Sequence, residues 1–257
     1  MFFLIPVGLF VLGALMASFA GVVVARLNTG GSVFSGRSRC DACGNTLSPF
    51  ALVPVISYCA SGGRAQCCGA QITSGAPLTE FLLGGLFLLA YLKLGFVPAL
   101  PFMLASLVLL LALVLYDLSH QILPPPLLLS FVVASIATAV AFHPSLPELL
   151  PTLLVAFFIS ASLALVHVLS RGRAMGLADA PLAFGLALLT GPAALPGFVF
   201  SFWIGALVGI IVLARRPRGS RMGVEVPFAP FLAAGFLIAY FTQWNPFLFV
   251  AAVTAFQ

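Results

Sequence analysis

Eight apolar runs divide this chain, and the polar segments between alternate runs carry nearly all of its basic residues. The runs lie near residues 3–25, 78–95, 99–116, 126–142, 149–169, 180–194, 196–214 and 227–243. About 20 apolar residues cross the hydrocarbon core of a bilayer as a helix, and in lipid a helix satisfies its own backbone donors and acceptors. The expected fold is therefore an all-α polytopic membrane protein of about eight transmembrane helices. Composition agrees, since 62% of the residues are hydrophobic and 7% charged, far from the makeup of soluble domains. The first run has no basic residue before it and exceeds the core of a signal peptide, so it reads as a retained span. The sixth is short, with Pro192 and Pro196 at its end and Gly197 allowing a tight connection.

The arginines set the expected orientation. Segments 26–77, 117–125, 170–179 and 215–226 hold every arginine, whereas the opposite loops hold only Lys93. Basic residues stay on the cytoplasmic side, so the N-terminus is expected outside and these four segments inside. The net charge of +5 then reports topology and contact with anionic lipid, Arg215 to Arg221 included, and implies no nucleic-acid partner. Three regions follow: 1–25 as a first transmembrane helix, 26–77 as a cytoplasmic loop, and 78–257 as the remaining membrane helices. Gly84-Gly85 and Gly205-x-x-x-Gly209 would let helices approach closely. Trp244 reads as an interfacial anchor.

Carboxylates are scarce: Asp41, Glu80, Asp117, Glu148, Asp179 and Glu225 are the full set. Asp117 ends the third run and Asp179 opens the sixth, with one outward and one returning span between them, so both reach the cytoplasmic face. A carboxylate at the edge of a span is costly and functional by default, although an ordinary helix cap is the alternative for Asp179. Two neighbouring carboxylates share a proton. One can then activate water while the other protonates the scissile carbonyl, which is aspartic-protease chemistry and needs no metal or covalent nucleophile.

All five cysteines fall between residues 40 and 68, too local and too odd in number for a disulfide framework. Cys40-Asp41-Ala42-Cys43-Gly44 is half of a zinc knuckle. The second half is irregular, with Cys67 and Cys68 adjacent and Cys59 nearby as a further ligand candidate. The reading is a structural zinc, because four thiolates leave no open position for water; a reduced structural loop or a redox-active pair is the alternative. Glu80 reads equally as a functional acid or as a first-turn acid favoured by the helix dipole. His120 and His143 read as interfacial histidines, and His167 as a packing residue near the inner end of its span.

Taken together, these motifs resemble the type IV prepilin peptidases. The first aspartate of that family lies in an Asp-x-x-x-x-x-Ile/Leu-Pro context, matched by Asp117 to Pro124. The second follows Gly-x-Gly, which reads here as Gly176-Leu177-Ala178-Asp179, and the lysine usual soon afterwards is Pro181. Ser18-Phe19, Arg26-Leu27, Pro54-Val55-Ile56-Ser57-Tyr58 and Pro77-Leu78-x-Glu80 match in order and spacing. The resemblance implies a membrane aspartyl endopeptidase with Asp117 and Asp179 as its catalytic pair. Its substrates would be prepilin or pseudopilin precursors, cleaved after Gly at the cytoplasmic face of a bacterial-type inner membrane. It also implies a cysteine loop linked to N-methylation by S-adenosylmethionine, a cofactor carried over only if that activity is retained. Gly21 replaces the family's Asn after Ser-Phe, and no glycine-rich cofactor motif stands elsewhere. Ala178 restricts the backbone before Asp179 if a positive φ is needed there. A degenerate homologue, or a scaffold or transporter using the Asp pair for structure or proton relay, is the alternative function.

Overall fold

The computed structural model describes residues 4–27, 38–40, 42–48, 53–173, 175–215 and 226–247. The chain forms two compact units, Met1–Phe96 and Val97–Gln257. In the first unit, α1 (Leu4–Arg26) packs along α3 (Gly75–Leu94), and the short helix α2 (Ile56–Ala60) lies in the loop between them. The second unit holds α4 (Leu100–His120), α5 (Pro125–Phe142), α6 (Leu146–Ser170), α7 (Asp179–Thr190), α8 (Ala194–Arg215) and α9 (Ala229–Thr242). A 3₁₀ turn, Gly191–Ala193, joins α7 to α8.

Each of the eight apolar runs is a helix, ended by residues suited to the task. Proline occupies the first turn of α4, α5, α6 and α9, where its missing N–H would be unpaired in any case. Left-handed residues close α4, α6 and α9 at Gln121, Arg171 and Gln243. Length separates the helices into two groups. Among the described residues six stretches are long and apolar enough to cross a membrane, with Asp179–Arg215 counted as one of 37 residues. Alone, the 12 residues of α7 rise only about 18 Å, well short of a hydrocarbon core of about 30 Å.

Packing in the first unit depends on two glycines. A Cβ on Gly13 would lie 2.8 Å from the Leu83 carbonyl oxygen, and one on Gly84 2.8 Å from that of Phe10. Both helices therefore meet backbone to backbone, which only glycine allows. This contact ties α3 to α1, and both fall in the unit that ends at Phe96, whereas the sequence grouped residues from 78 onward with the later helices. Gly84 thus acts as expected and Gly85, with open space around it, does not. In the second unit the close crossing of α8 and α9 uses Gly197 against Phe236 and Gly235 against Ser201, instead of the expected Gly205 and Gly209.

The interior of the second unit is built around α7, in which ten of twelve residues are buried. It packs on α5, α6 and α9, with Gly185 leaving room for the Phe131 ring. The outer faces of α6 and α8 stay apolar and exposed, as lipid contact requires (Phe158 is 66% exposed). Buried hydroxyls return to the carbonyl four residues back, as Ser135 does to Phe131 and Ser201 to Gly197, so the helices carry polar groups without leaving them unpaired.

Candidate active site

Asp117 lies on the last turn of α4 and is 6% exposed; Asp179 is the first residue of α7 and is 8% exposed. Burial of two carboxylates in a chain so poor in charge is expensive unless hydrogen bonds compensate. Each has such a bond to backbone. The Ala229 N–H, at the start of α9, donates to Asp117 Oδ2 at 3.2 Å. The Gly176 N–H donates to the Asp179 carboxylate. The charges of Asp117 and Asp179 act on one another, so the structure brings the two into electrostatic reach. Asp179 is not the N-cap of α7. That position belongs to Ala178, which makes no side-chain cap bond.

The approach to Asp179 is a tight turn. Asp179 N–H bonds the Gly176 carbonyl at 3.3 Å and Ala180 N–H bonds that of Leu177 at 3.2 Å. Ala178 has φ −68° and ψ −18°, a right-handed conformation open to any side chain. The expected backbone restriction at this residue is therefore absent. A Cβ on Gly176 would lie 3.4 Å from Asp179 Oδ2, an ordinary contact.

In the first unit, two short turns face each other with matching backbones. Gly44 N–H bonds the Cys40 carbonyl at 2.8 Å, and Gly69 N–H bonds the Ala65 carbonyl at 2.7 Å; each glycine has φ +72°. Isolated bridges Arg39 to Thr46 and Arg64 to Gln71 close the two turns. Ala65 thus stands where Cys40 stands in the first turn, and Cys68 corresponds to Cys43. Cys67, one residue inward, supplies the fourth sulfur: the Sγ atoms of Cys40, Cys43, Cys67 and Cys68 all lie within 4.8 Å of one another. Cys40 and Cys68 are 3.8 Å apart, and Cys43 and Cys67 3.4 Å. Zn–S bonds of about 2.3 Å place the sulfurs of a tetrahedral ion about 3.8 Å apart, so the group fits zinc. Cys59 is exposed and lies outside the group. Backbone N–H groups of Cys43 and Ala42 lower Cys40 to about 7, while hydrogen bonding to the Cys43 and Cys40 thiols pushes Cys67 up to about 12.

Comparison with known proteins accounts for both units. Residues 11–94 match the Bacterial Peptidase A24 N-terminal domain and residues 102–213 the Type IV leader peptidase family. A prepilin leader peptidase/N-methyltransferase of Bacillus subtilis (strain 168) is 30% identical over 233 residues, covering 90% of this chain and 92% of the relative. This chain belongs to the type IV leader peptidase family. A relative of the same name from Myxococcus xanthus is 34% identical, covering 84% of this chain but only 65% of its own length. Another from Pseudomonas aeruginosa is 32% identical, covering 79% and 70%. No solved structure matches the chain.

Within this type IV leader peptidase fold the remaining candidates take distinct places. Glu80 lies beyond the first turn of α3, because that helix starts at Gly75, earlier than expected. Its Oε2 accepts the Val55 N–H at 2.8 Å. Val55 is the centre of a γ-turn, with φ 60° and ψ −49° and Ile56 N–H on the Pro54 carbonyl at 2.5 Å. A β-branched residue there is strained and needs a partner to hold it. His120 stacks on Tyr116 at 4.2 Å and faces its carbonyl at 3.3 Å. His143 follows α5 as its C-cap. His167 is more than packing, since its Nδ1–H donates to the Met175 carbonyl at 2.8 Å. An apolar groove of about 310 Å³ runs between α8 and α9, walled by Phe202, Gly205, Phe228 and Phe231. Its lining offers no acid, base or ligand. Asp41, Arg216, Arg218, Arg221 and Glu225 lie outside the described residues. Sequence reasoning had no signal for Ala229 or for the Glu80 and Val55 contact, because each joins residues far apart in the chain.

Proposed function

We propose that this protein is a membrane-embedded aspartic endopeptidase that removes the cytoplasmic leader of prepilin-like precursors at the inner membrane of a bacterium. Family membership supports the reading, and the buried, mutually interacting Asp117 and Asp179 carry it. In this mechanism the ionised member takes a proton from water as the water oxygen attacks the scissile carbonyl carbon. The protonated member gives its proton to the carbonyl oxygen. When the tetrahedral intermediate collapses, the C–N bond breaks, the amine leaves with the proton taken from water, and the intermediate's hydroxyl returns its proton to the second carboxylate. Each aspartate accepts one backbone N–H, which holds its carboxylate in place for this exchange.

Cys40, Cys43, Cys67 and Cys68 would hold a structural zinc. Bound to four thiolates, the ion supplies folding energy to the loop and no activated water. The relatives are also named as N-methyltransferases, and methyl transfer from S-adenosylmethionine is read by the same experiment. Purified protein is incubated with a prepilin-like precursor and S-adenosylmethionine, and the products are weighed by mass spectrometry. Asp117→Asn and Asp179→Asn are each expected to slow leader removal about 10²–10⁴-fold, the range of a lost acid or base. Full processing by either variant would sink the dyad mechanism.

A further inference from the structure

The stretch that leads into Asp179 is held from behind by a side chain on another helix. After α6 ends at Ser170, Arg171 and Gly172 take positive φ angles of 52° and 75°, and the Gly172 N–H turns back to the His167 carbonyl at 2.8 Å. That reversal lays Gly172 against the His167 ring, where a Cβ would lie 3.3 Å from Cε1. The imidazole then donates from Nδ1 to the Met175 carbonyl at 2.8 Å. This carbonyl and the Gly176 N–H belong to the same peptide unit. The N–H on the far side of that unit faces the Asp179 carboxylate, whose Oδ2 stands 3.4 Å from where a Cβ on Gly176 would lie.

We infer that His167 is a positioning residue for Asp179, acting through the Met175–Gly176 peptide. A peptide unit is planar, so fixing the direction of its C=O fixes the direction of its N–H. A donor on the carbonyl also polarises the unit and strengthens the bond that its N–H makes, because hydrogen bonds in series reinforce one another. His167 therefore sets where the Asp179 carboxylate stands, without touching substrate. The Nδ1 proton is required, since a carbonyl can only accept. The inference rests on the reading of Asp179 as half of the catalytic pair.

The test compares donors at one position. In His167→Asn the amide N–H falls near the place of Nδ1; in His167→Gln it falls near Nε2; His167→Phe keeps the bulk and loses the donor. Leader removal is followed with purified full-length protein over a range of precursor concentrations. His167→Phe is expected to lower kcat about 10–100-fold with KM unchanged, the scale of a misplaced catalytic group. His167→Asn should recover most of that loss and His167→Gln little of it. Wild-type kcat in His167→Phe overturns the inference, as does an Asn variant no better than Phe at equal abundance. Should the Phe variant fail to accumulate, the Asn and Gln variants decide: equal kcat in both refutes the Nδ1 assignment. Failure of the catalytic reading itself is distinct, because Asp179→Asn would then process precursor at the wild-type rate.

Discussion

Replacing Ala178 by Gly tests whether the departure from Gly-x-Gly-Asp costs this protein anything. Ala178 has φ −68° and ψ −18°, its carbonyl accepts the Leu182 N–H at 3.3 Å, and no left-handed angle is asked of it. At such a position glycine adds freedom to the unfolded chain and nothing to the folded one. Ala178→Gly should therefore lower stability by about 0.4–1 kcal/mol. In a chain of this size that is about 1–4 °C in Tm. Turnover should stay within about twofold, since a right-handed alanine already meets the native angles. The competing account, in which catalysis needs a left-handed residue before the aspartate, gives the opposite sign. Alanine would then bear about 1–2 kcal/mol at the working conformation. Relief of that strain would raise kcat about 5–30-fold. Initial rates of leader removal by the two proteins, with thermal unfolding measured alongside, separate the accounts. A rise in kcat of fivefold or more at unchanged KM would refute the reasoning from the backbone angles.

Two other sites yield predictions of their own. Metal analysis of purified protein should find one zinc in Cys59→Ser and little in Cys67→Ser; retention by the latter would remove Cys67 from the ligand set. Because Cys67 keeps its proton up to about 12 and must release it to bind, zinc affinity should rise with pH. The rise should be at least about tenfold per pH unit between 7 and 9 by chelator competition; a flat profile would contradict the proton release. Glu80→Ala should cost about 1–2 kcal/mol in thermal unfolding, as a half-buried charged hydrogen bond is lost. Glu80→Gln, which still offers Val55 an acceptor, should cost less. Equal losses would assign Glu80 a role that depends on its charge and not on this bond.

The eight helices were legible, and the two aspartates stood out as the candidate site, because both follow from what a bilayer forbids. Apolar length marks a helix wherever lipid replaces water, and a carboxylate at the edge of such a helix stands out against 62% hydrophobic residues. Length alone could not reveal that α7 is a short core helix. Its apolar residues look the same whether they face lipid or protein, and ten of its twelve are buried in protein. The small-residue contacts were ambiguous for a similar reason. Glycine pairs permit close approach without compelling it, and Gly209 has open space where Gly235 meets Ser201.

The cysteine loop shows where a spacing rule gives way to backbone geometry. The family resemblance implies a second Cys-x-x-Cys, and Ala65 stands in its first place. In the folded loop the two turns still repeat their closing hydrogen bonds, with a glycine at φ +72° ending each. For the proposed zinc the turns must deliver four sulfurs, and Cys67 joins the other three from an interior position of its turn, all four lying within 4.8 Å of one another. Ala178 follows the same logic, because a right-handed turn delivers Asp179 with or without the glycine. In both places a missing motif residue is compatible with an intact site because the motif records one way of reaching a geometry. Where the backbone already reaches it, the side chain at the motif position is free to change.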